Sequence, residues 1–320
     1  MEREKSKMIR GMPSGRRKRP TLRYIAEDAR GMALVLTLSV LAIIVAMVIE
    51  FSYAVYISTH SLYNWQDSQK LSPVAKSGVR LAAMTISQNV QQHAYTYPGI
   101  SEVLHKDPFR DLEGSLSLAV RMEDENSKFN VSSLIYPNGI LNQEAFSSCK
   151  RLLDALSLSP EIADRIADWI DPDQEPRLSD SEKGAKNQNL DSVDELLLIP
   201  RMDRESYEKL SPYITIYGGG LININGAEIP VLMSLSNSVT KDMAQRIVRS
   251  RQNVPFEKTE DVSKVAGLEK IGPSLMGRLT VKGTAFRLVS TATDKEIRRM
   301  IESVVEISEG KPIIRYWREI

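Results

Sequence analysis

Oxygen ligands crowd one short stretch of this 320-residue chain. Asp168, Asp171 and Asp173 fall at the end of an apolar helical pattern and in the loop behind it, and Glu175, Asp180 and Glu182 follow. Carboxylates packed this closely offer the hard-oxygen chemistry that calcium takes at roughly six to eight ligands. Asp171 and Asp173 are the expected ligands, with Asp168 beside them; the competing reading is a solvated acidic loop that binds nothing. Other chemistry is scarce. Cys149, the single cysteine, lies in Phe146-Ser147-Ser148-Cys149-Lys150 on a helical pattern with no paired His and acid nearby, so it reads as a small buried hydrophobe. One cysteine also excludes an intramolecular disulfide framework, and His60, His93 and His105 lack metal-ligand spacing. Trp169 and Trp317 read as core or interface anchors. The inventory predicts no enzyme.

A second stretch could grip phosphate. Residues 221–270, with Asn223-Ile224-Asn225-Gly226-Ala227, Ala244 to Arg251 and Val265-Ala266-Gly267-Leu268, resemble a tandem helix-hairpin-helix unit, which binds DNA backbones through N–H groups of a glycine-containing turn. Here the turn Leu235-Ser236-Asn237-Ser238-Val239 has no glycine. Seven Lys/Arg against six Asp/Glu across this stretch is too even for a phosphate footprint. A sterile-alpha-motif-like fold used for packing or protein contacts is the simpler reading, and a membrane-tethered DNA-uptake protein is the alternative. The whole chain agrees: Lys+Arg 42 against Asp+Glu 41 gives a net charge of +1, which argues against a dedicated nucleic-acid binder.

The elements that must position these residues begin with a membrane segment. Residues 1–31 hold ten Lys/Arg against four Asp/Glu, including Arg16-Arg17-Lys18-Arg19, and Met32 to Ile49 then contains no charge at all. Those 18 residues span about 27 Å as a helix, enough for the hydrocarbon core. The basic flank predicts a cytoplasmic amino end, and Phe51, Tyr53 and Tyr56 suit the far interface. A cleaved signal peptide fits poorly, because the apolar run is too long and Tyr53 and Val55 crowd the small-residue site. Apolar or small residues from Leu62 to Val90 then recur at three- and four-residue steps, an amphipathic stalk that Pro73 kinks or breaks.

Beyond Tyr97-Pro98-Gly99 the period changes. Ser115 to Met122 alternates as a strand, and a turn at Glu123 to Ser127 leads to Lys128-Phe129-Asn130-Val131, which reads as a hairpin. Helical spacing follows over Glu144 to Ala155 and Pro160 to Ile170, and Asp191 to Ile199 reads as a capped helix start with Val193, Leu196 and Leu197 on one face. Gly218-Gly219-Gly220 reads as a hinge between two helical units. Phe286 to Ala292, Arg298 to Ile307 and Ile313 to Arg318 read as three strands. The expected fold class is α+β: a long amino-terminal membrane and stalk helix packed on an antiparallel sheet, with a large all-α insertion between its strands.

Several segments together resemble a known family. They are Lys128-Phe129-Asn130-Val131-Ser132-Ser133-Leu134, Ala167-Asp168-Trp169-Ile170-Asp171-Pro172-Asp173, Asn189-Leu190-Asp191-Ser192-Val193-Asp194-Glu195-Leu196, Leu221-Ile222-Asn223-Ile224-Asn225 and Arg315-Tyr316-Trp317-Arg318-Glu319. In order and spacing they are similar to the general secretion pathway protein K family, the K-type minor pseudopilins of type II secretion. The resemblance covers nearly the whole mature chain. It implies a pilin-like head with a helical insertion, an inner-membrane anchor with the bulk of the chain periplasmic, and membership of a filament-tip complex with I-type and J-type minor pseudopilins. It also implies contact with the major pseudopilin and the inner-membrane assembly platform, and no nucleic acid.

Arg30-Gly31-Met32 resembles the leader junction of such proteins, which implies that a prepilin peptidase cuts after Gly31 and methylates Met32. Most pilin-like subunits carry a glutamate at the fifth mature position; this chain has Leu36, a departure similar to the K type. An acid in hydrocarbon costs at least about 3 kcal/mol unless it is paired, so a subunit with no partner for it does better without. A leader of 31 residues is long for the family, and starts at Met1, Met8 or Met12 are all open. In the related family the acidic loop runs into Gly-Ala-Glu, whereas here it reads Gly184-Ala185-Lys186-Asn187, so Lys186 removes one acid and adds a repelling charge. The expected layout is a leader at 1–31, a membrane helix at 32–52, a stalk at 53–96, first strands at 97–135, helical units at 136–217 and 218–278, and last strands at 279–320.

Overall fold

A computed structural model describes residues 22–96 and 116–320. The expectations about Arg16 to Arg19, the start codon, Tyr97-Pro98-Gly99 and His105 lie outside the described residues. The chain divides into two compact units, Met1–Trp65 and Gln66–Ile320.

The first unit contributes the apolar part of helix α1 (Leu22–Gln92). Among the described residues α1 is the one helix long and apolar enough to cross a membrane. Its apolar side chains from Met32 through Tyr56 are exposed, as a lipid-facing helix requires. The hydroxyls of Thr37 and Ser39 fold back onto the carbonyls of Leu34 and Val35 at 2.9 and 2.8 Å, so neither is left unpaired in apolar surroundings. Proline does not break α1, which runs unbroken through Pro73. Pro73 lies on an exposed face, where water can take the carbonyl that its missing N–H frees.

In the second unit α1 buries Leu71, Ala75, Val79, Ala82, Ile86 and Val90 against a four-stranded sheet. The sheet runs β1 (Ser117–Asp124), β6 (Ala285–Asp294), β7 (Ile297–Ser308), β8 (Lys311–Glu319), with every pair antiparallel. Alternation decides the inward face: Leu118, Val120 and Met122 of β1 meet Phe286, Leu288 and Ala292 of β6 and Ile301 and Val305 of β7. Helix and sheet approach closely at Gly78, where a Cβ would lie 2.3 Å from the Ser290 hydroxyl oxygen.

The expected hairpin after β1 does not form. β1 pairs with β6, from register Ser117↔Thr293 to Asp124↔Phe286, while β2 (Phe129–Asn130) pairs in parallel with β3 (Ile214–Thr215). The intervening turn Glu125–Ser127 is a 3-10 segment capped by the Asp124 side chain, which accepts from the Asn126 N–H at 2.8 Å. That cap redirects the chain out of the sheet.

Between β1 and β6 lies the helical insertion, with α2 (Gln143–Ala155), α3 (Glu161–Ile170), α4 (Arg204–Leu210), β4 (Ile222–Asn223), α5 (Ile229–Ser234), α6 (Lys241–Asn253), α7 (Gly272–Leu275) and β5 (Leu279–Thr280). Its buried side chains form a cluster of their own, including Leu134, Leu152, Ile166, Leu196, Leu232 and Ile247. The predicted capped helix from Asp191 is instead a 3-10 turn, Val193–Leu198, with no side-chain cap. Three residues per turn bury Leu196 but leave Leu197 40% and Leu198 68% exposed, and Pro200 disfavours continuing the helix. The triple glycine is held firmly. Asn126 donates to the Gly218 carbonyl at 2.5 Å, and Asn130 donates to those of Tyr217 and Gly219 at 3.1 and 2.9 Å. Gly218 has φ of 78° and a Cβ there would strike Asn126, so glycine serves a close approach.

Candidate functional site

The acidic cluster forms where α3 ends. Ile162, Ala163, Ile166 and Ala167 pull α3 into the insertion core, and the same turn carries Asp168 inside, wholly buried, with Asp171 just past the last turn. The loop then folds back. Arg177 donates its N–H to Asp168 at 2.8 Å, and its Nη1 bridges Asp168 and Asp171, at 2.6 Å from the latter. A turn held by Ser181, whose hydroxyl donates to the Leu178 carbonyl at 2.7 Å, delivers Glu182. Carboxylate oxygens of Asp168, Asp171 and Glu182 all lie within 4.8 Å of one another.

Three acids against one guanidinium leave charge uncompensated. Oδ1 of Asp171 and both oxygens of Glu182 are buried without a hydrogen-bond partner among the described residues, as is Oδ1 of Asn187 on the same loop. Burial, and then Asp168, Asp171 and Asp173, raise the Glu182 carboxyl above its ordinary range. Burial likewise raises Asp171, against the hydrogen bonds from Arg177. Orphaned hard oxygens fit a divalent cation such as calcium, which would need Asp168, Asp171 and Glu182.

The placement differs from the sequence expectation in one member. Asp173 is exposed and outside the cluster, where its carboxylate accepts from the Glu175 N–H at 2.9 Å. Glu182 takes its place. Its position depends on the tight return through Leu178 and Ser181, for which a run of scattered acids gives no signal. Asp180 is committed elsewhere, at 2.9 Å from Arg165 and 2.8 Å from Arg201. Lys186, expected to repel a cation, instead bridges Asp191 at 2.6 Å and Glu195 at 3.0 Å.

A second polar centre ties sheet to insertion. Glu125, fully buried, accepts from Arg287 of β6 at 2.8 Å, from Lys128 at 3.2 Å and from the Thr215 hydroxyl of β3. Beside it, Asp124 accepts from the Asn223 amide at 2.5 Å, and burial pushes its carboxyl up to about 7.

At the other candidate positions, Gly31 has no neighbour among the described residues that a Cβ would meet, and Met32 and Leu36 are 70% and 64% exposed on α1. Cys149 is buried in the insertion core, where burial pushes its thiol up to about 12; it is a packed side chain and a poor nucleophile. The DNA reading finds no support. Arg251 is buried and donates to the carbonyls of Ile224 and Ala227 at 2.7 and 2.6 Å, and Arg246 pairs with Asp242 and the Ala266 carbonyl.

Two family models, each for type II secretion system protein K, match residues 127–219 and 222–282. The chain is 24% identical over 302 residues to the type II secretion system protein K of Pseudomonas aeruginosa, covering 86% of this chain and 88% of that protein. The corresponding protein of Dickeya chrysanthemi is 27% identical over 139 residues, 38% of this chain and 39% of the relative. Among solved structures, a chain of the GspK-GspI-GspJ complex from enterotoxigenic Escherichia coli shares the fold. It superposes with a TM-score of 0.63 at 20% identity, over 82% of this chain and 99% of that one.

Proposed function

Because the chain belongs to the type II secretion system protein K family, we propose that it joins I-type and J-type minor pseudopilins at the tip of a periplasmic pseudopilus, where the complex initiates or caps the filament that exports folded proteins across the outer membrane. The observation that carries this is architectural. A helical insertion of more than a hundred residues interrupts a sheet packed on an apolar amino-terminal helix. A head of that bulk would obstruct stacking of another head above it, which suits an end position. The solved relative with this fold was crystallised as a complex with GspI and GspJ, which supports the choice of partners.

In this reading α1 is a single-pass anchor with its basic end cytoplasmic and the head periplasmic. A prepilin peptidase cuts after Gly31 and methylates Met32, and Leu36 removes any need for an acid-binding neighbour. The major pseudopilin and the assembly platform are the remaining partners. Asp168, Asp171 and Glu182 would hold calcium, which supplies the positive charge the cluster lacks and fixes the loop against the end of α3. The function is one of assembly, without catalysis.

Co-expression of the full chain with I-type and J-type minor pseudopilins tests the assignment. Recovery of all three as one species in detergent is the expected result. A chain that elutes alone, while the other two still associate, would remove the tip assignment.

A further inference from the structure

The insertion also carries a groove that neither the acidic cluster nor the anchor accounts for. Its volume is about 910 Å3, within the range of small-molecule sites. The 3-10 turn Val131–Leu134, the turn at 135–141, the end of α3 and the loop at 187–191 line it, and it is open to solvent. Ser132, Gln188 and Asn189 line it beside Asn130 and Asn187, whose amides are bonded within the loops, and Tyr136 supplies an aromatic ring.

This wall is preformed. The turn bearing Tyr136 is closed by the Tyr136 N–H on the Ile140 carbonyl and the Gly139 N–H on the Tyr136 carbonyl, both at 2.8 Å, with Gly139 at φ of 82°. Asn187 sits in the left-handed region, φ 53°, held by its N–H on the Trp169 carbonyl at 3.0 Å and its amide on the Asp173 carbonyl at 2.7 Å. Tyr136 is nevertheless 49% exposed, and Gln188 and Asn189 are exposed with no side-chain hydrogen bond to other described residues. A rigid support presents groups that are free to bind.

Chemistry narrows the ligand. Among the described residues no Lys or Arg lines the groove, which disfavours phosphates and nucleic acid. The one charged residue among the described lining, Asp191, is paired with Lys186 at 2.6 Å. The lining comes almost wholly from turns, loops and a helix end, leaving no run of strand for a peptide to extend, and with Ile135 and Ile170 buried its open apolar surface includes the rings of Tyr136, Pro137 and Pro172. Carboxamides both donate and accept, as sugar hydroxyls do, and an exposed ring suits the apolar face of a pyranose. We propose that this groove binds a neutral oligosaccharide, with one sugar ring stacked on Tyr136 and neighbouring hydroxyls bonded to Gln188 and Asn189.

The test uses the full chain in lipid nanodiscs, since sugar-headed detergents would compete. Calorimetry and saturation-transfer NMR would titrate two probes, a tetramer of N-acetylglucosamine and maltotetraose, against wild type, Tyr136→Ala and the double variant Gln188→Ala/Asn189→Ala. All three altered residues are exposed, so melting temperatures should stay equal. The expected result is saturable binding of at least one sugar that weakens at least about tenfold in each variant. Binding of neither sugar, equal binding by wild type and variants, or saturation by an uncharged peptide alone would each overturn the proposal.

Discussion

Replacing Glu125 by glutamine removes one charge from the centre that joins sheet to insertion and little else. The carboxylate accepts from Arg287, Lys128 and Thr215 with no exposure to solvent. Truncating one partner of a buried ion pair costs about 3–5 kcal/mol when the other charge is stranded. Neither cation is stranded here: Arg287 keeps Glu302, and Lys128 keeps Glu123 at 3.1 Å. Glutamine retains an acceptor for both, and the Thr215 hydroxyl can reverse to meet its amide. Exchanging charge-assisted for neutral hydrogen bonds should therefore cost about 1–2 kcal/mol, while Glu125→Ala, which also opens a cavity, should cost about 3–5. Burial alone would raise the Glu125 carboxyl, but Lys128 and Arg287 override it and hold it below the ordinary 4.5. A lowered folded pKa gives stability above the unfolded value that disappears as pH falls through the folded one, so the wild-type advantage over glutamine should vanish in acid. Urea unfolding of the Gln66–Ile320 unit followed by circular dichroism reads this directly. A glutamine variant as stable as wild type at neutral pH, with unchanged m, would show that the desolvation cost cancels the pairing and refute the reasoning.

Asp124 should behave in the opposite sense. Its folded pKa is raised from 3.8 to about 7, so its contribution is greatest below pH 3.8 and is lost as pH rises through about 7; relative to Asp124→Asn, wild type should lose at most about 4 kcal/mol over that interval, read from unfolding curves at stepped pH. Leu152→Ala, at a fully buried position, should destabilise by about 2–5 kcal/mol in denaturant titration. Gly78→Ala forces a Cβ against Ser290 and should cost about 1–3 kcal/mol, with Ser290→Ala partly restoring the melting temperature; equal melting of both variants would remove the steric account. Calcium should raise the melting temperature of wild type and not of Glu182→Gln, and an unchanged wild type would leave Arg177 as the cluster's counter-charge among the described residues.

What could be read from the sequence was what repeats locally. β6 alternates along its own length, and the seam from Leu71 to Val90 keeps helical spacing, so both were legible residue by residue, whereas β7 and β8 were marked by the turns that bound them and not by alternation. Long-range pairing was not. Nothing local tells Phe129 and Asn130 to pair with Ile214 and Thr215 rather than fold back on β1, because the partner lies far along the chain. The acidic site was legible as a neighbourhood: Asp168 and Asp171 sit one turn apart on and just past α3, whereas Glu182 enters only through the return of the loop. Leu197 illustrates the same limit, since the choice of a 3-10 over an α turn moved it from core to surface.

The central claim, that this chain is a pseudopilin, is tested most directly at its amino end. Intact mass and amino-terminal sequencing of the chain, expressed with and without a prepilin peptidase, should show a peptidase-dependent product that begins at methylated Met32. A chain of unchanged mass in the presence of an active peptidase, with a control pseudopilin cleaved in the same cells, would contradict it.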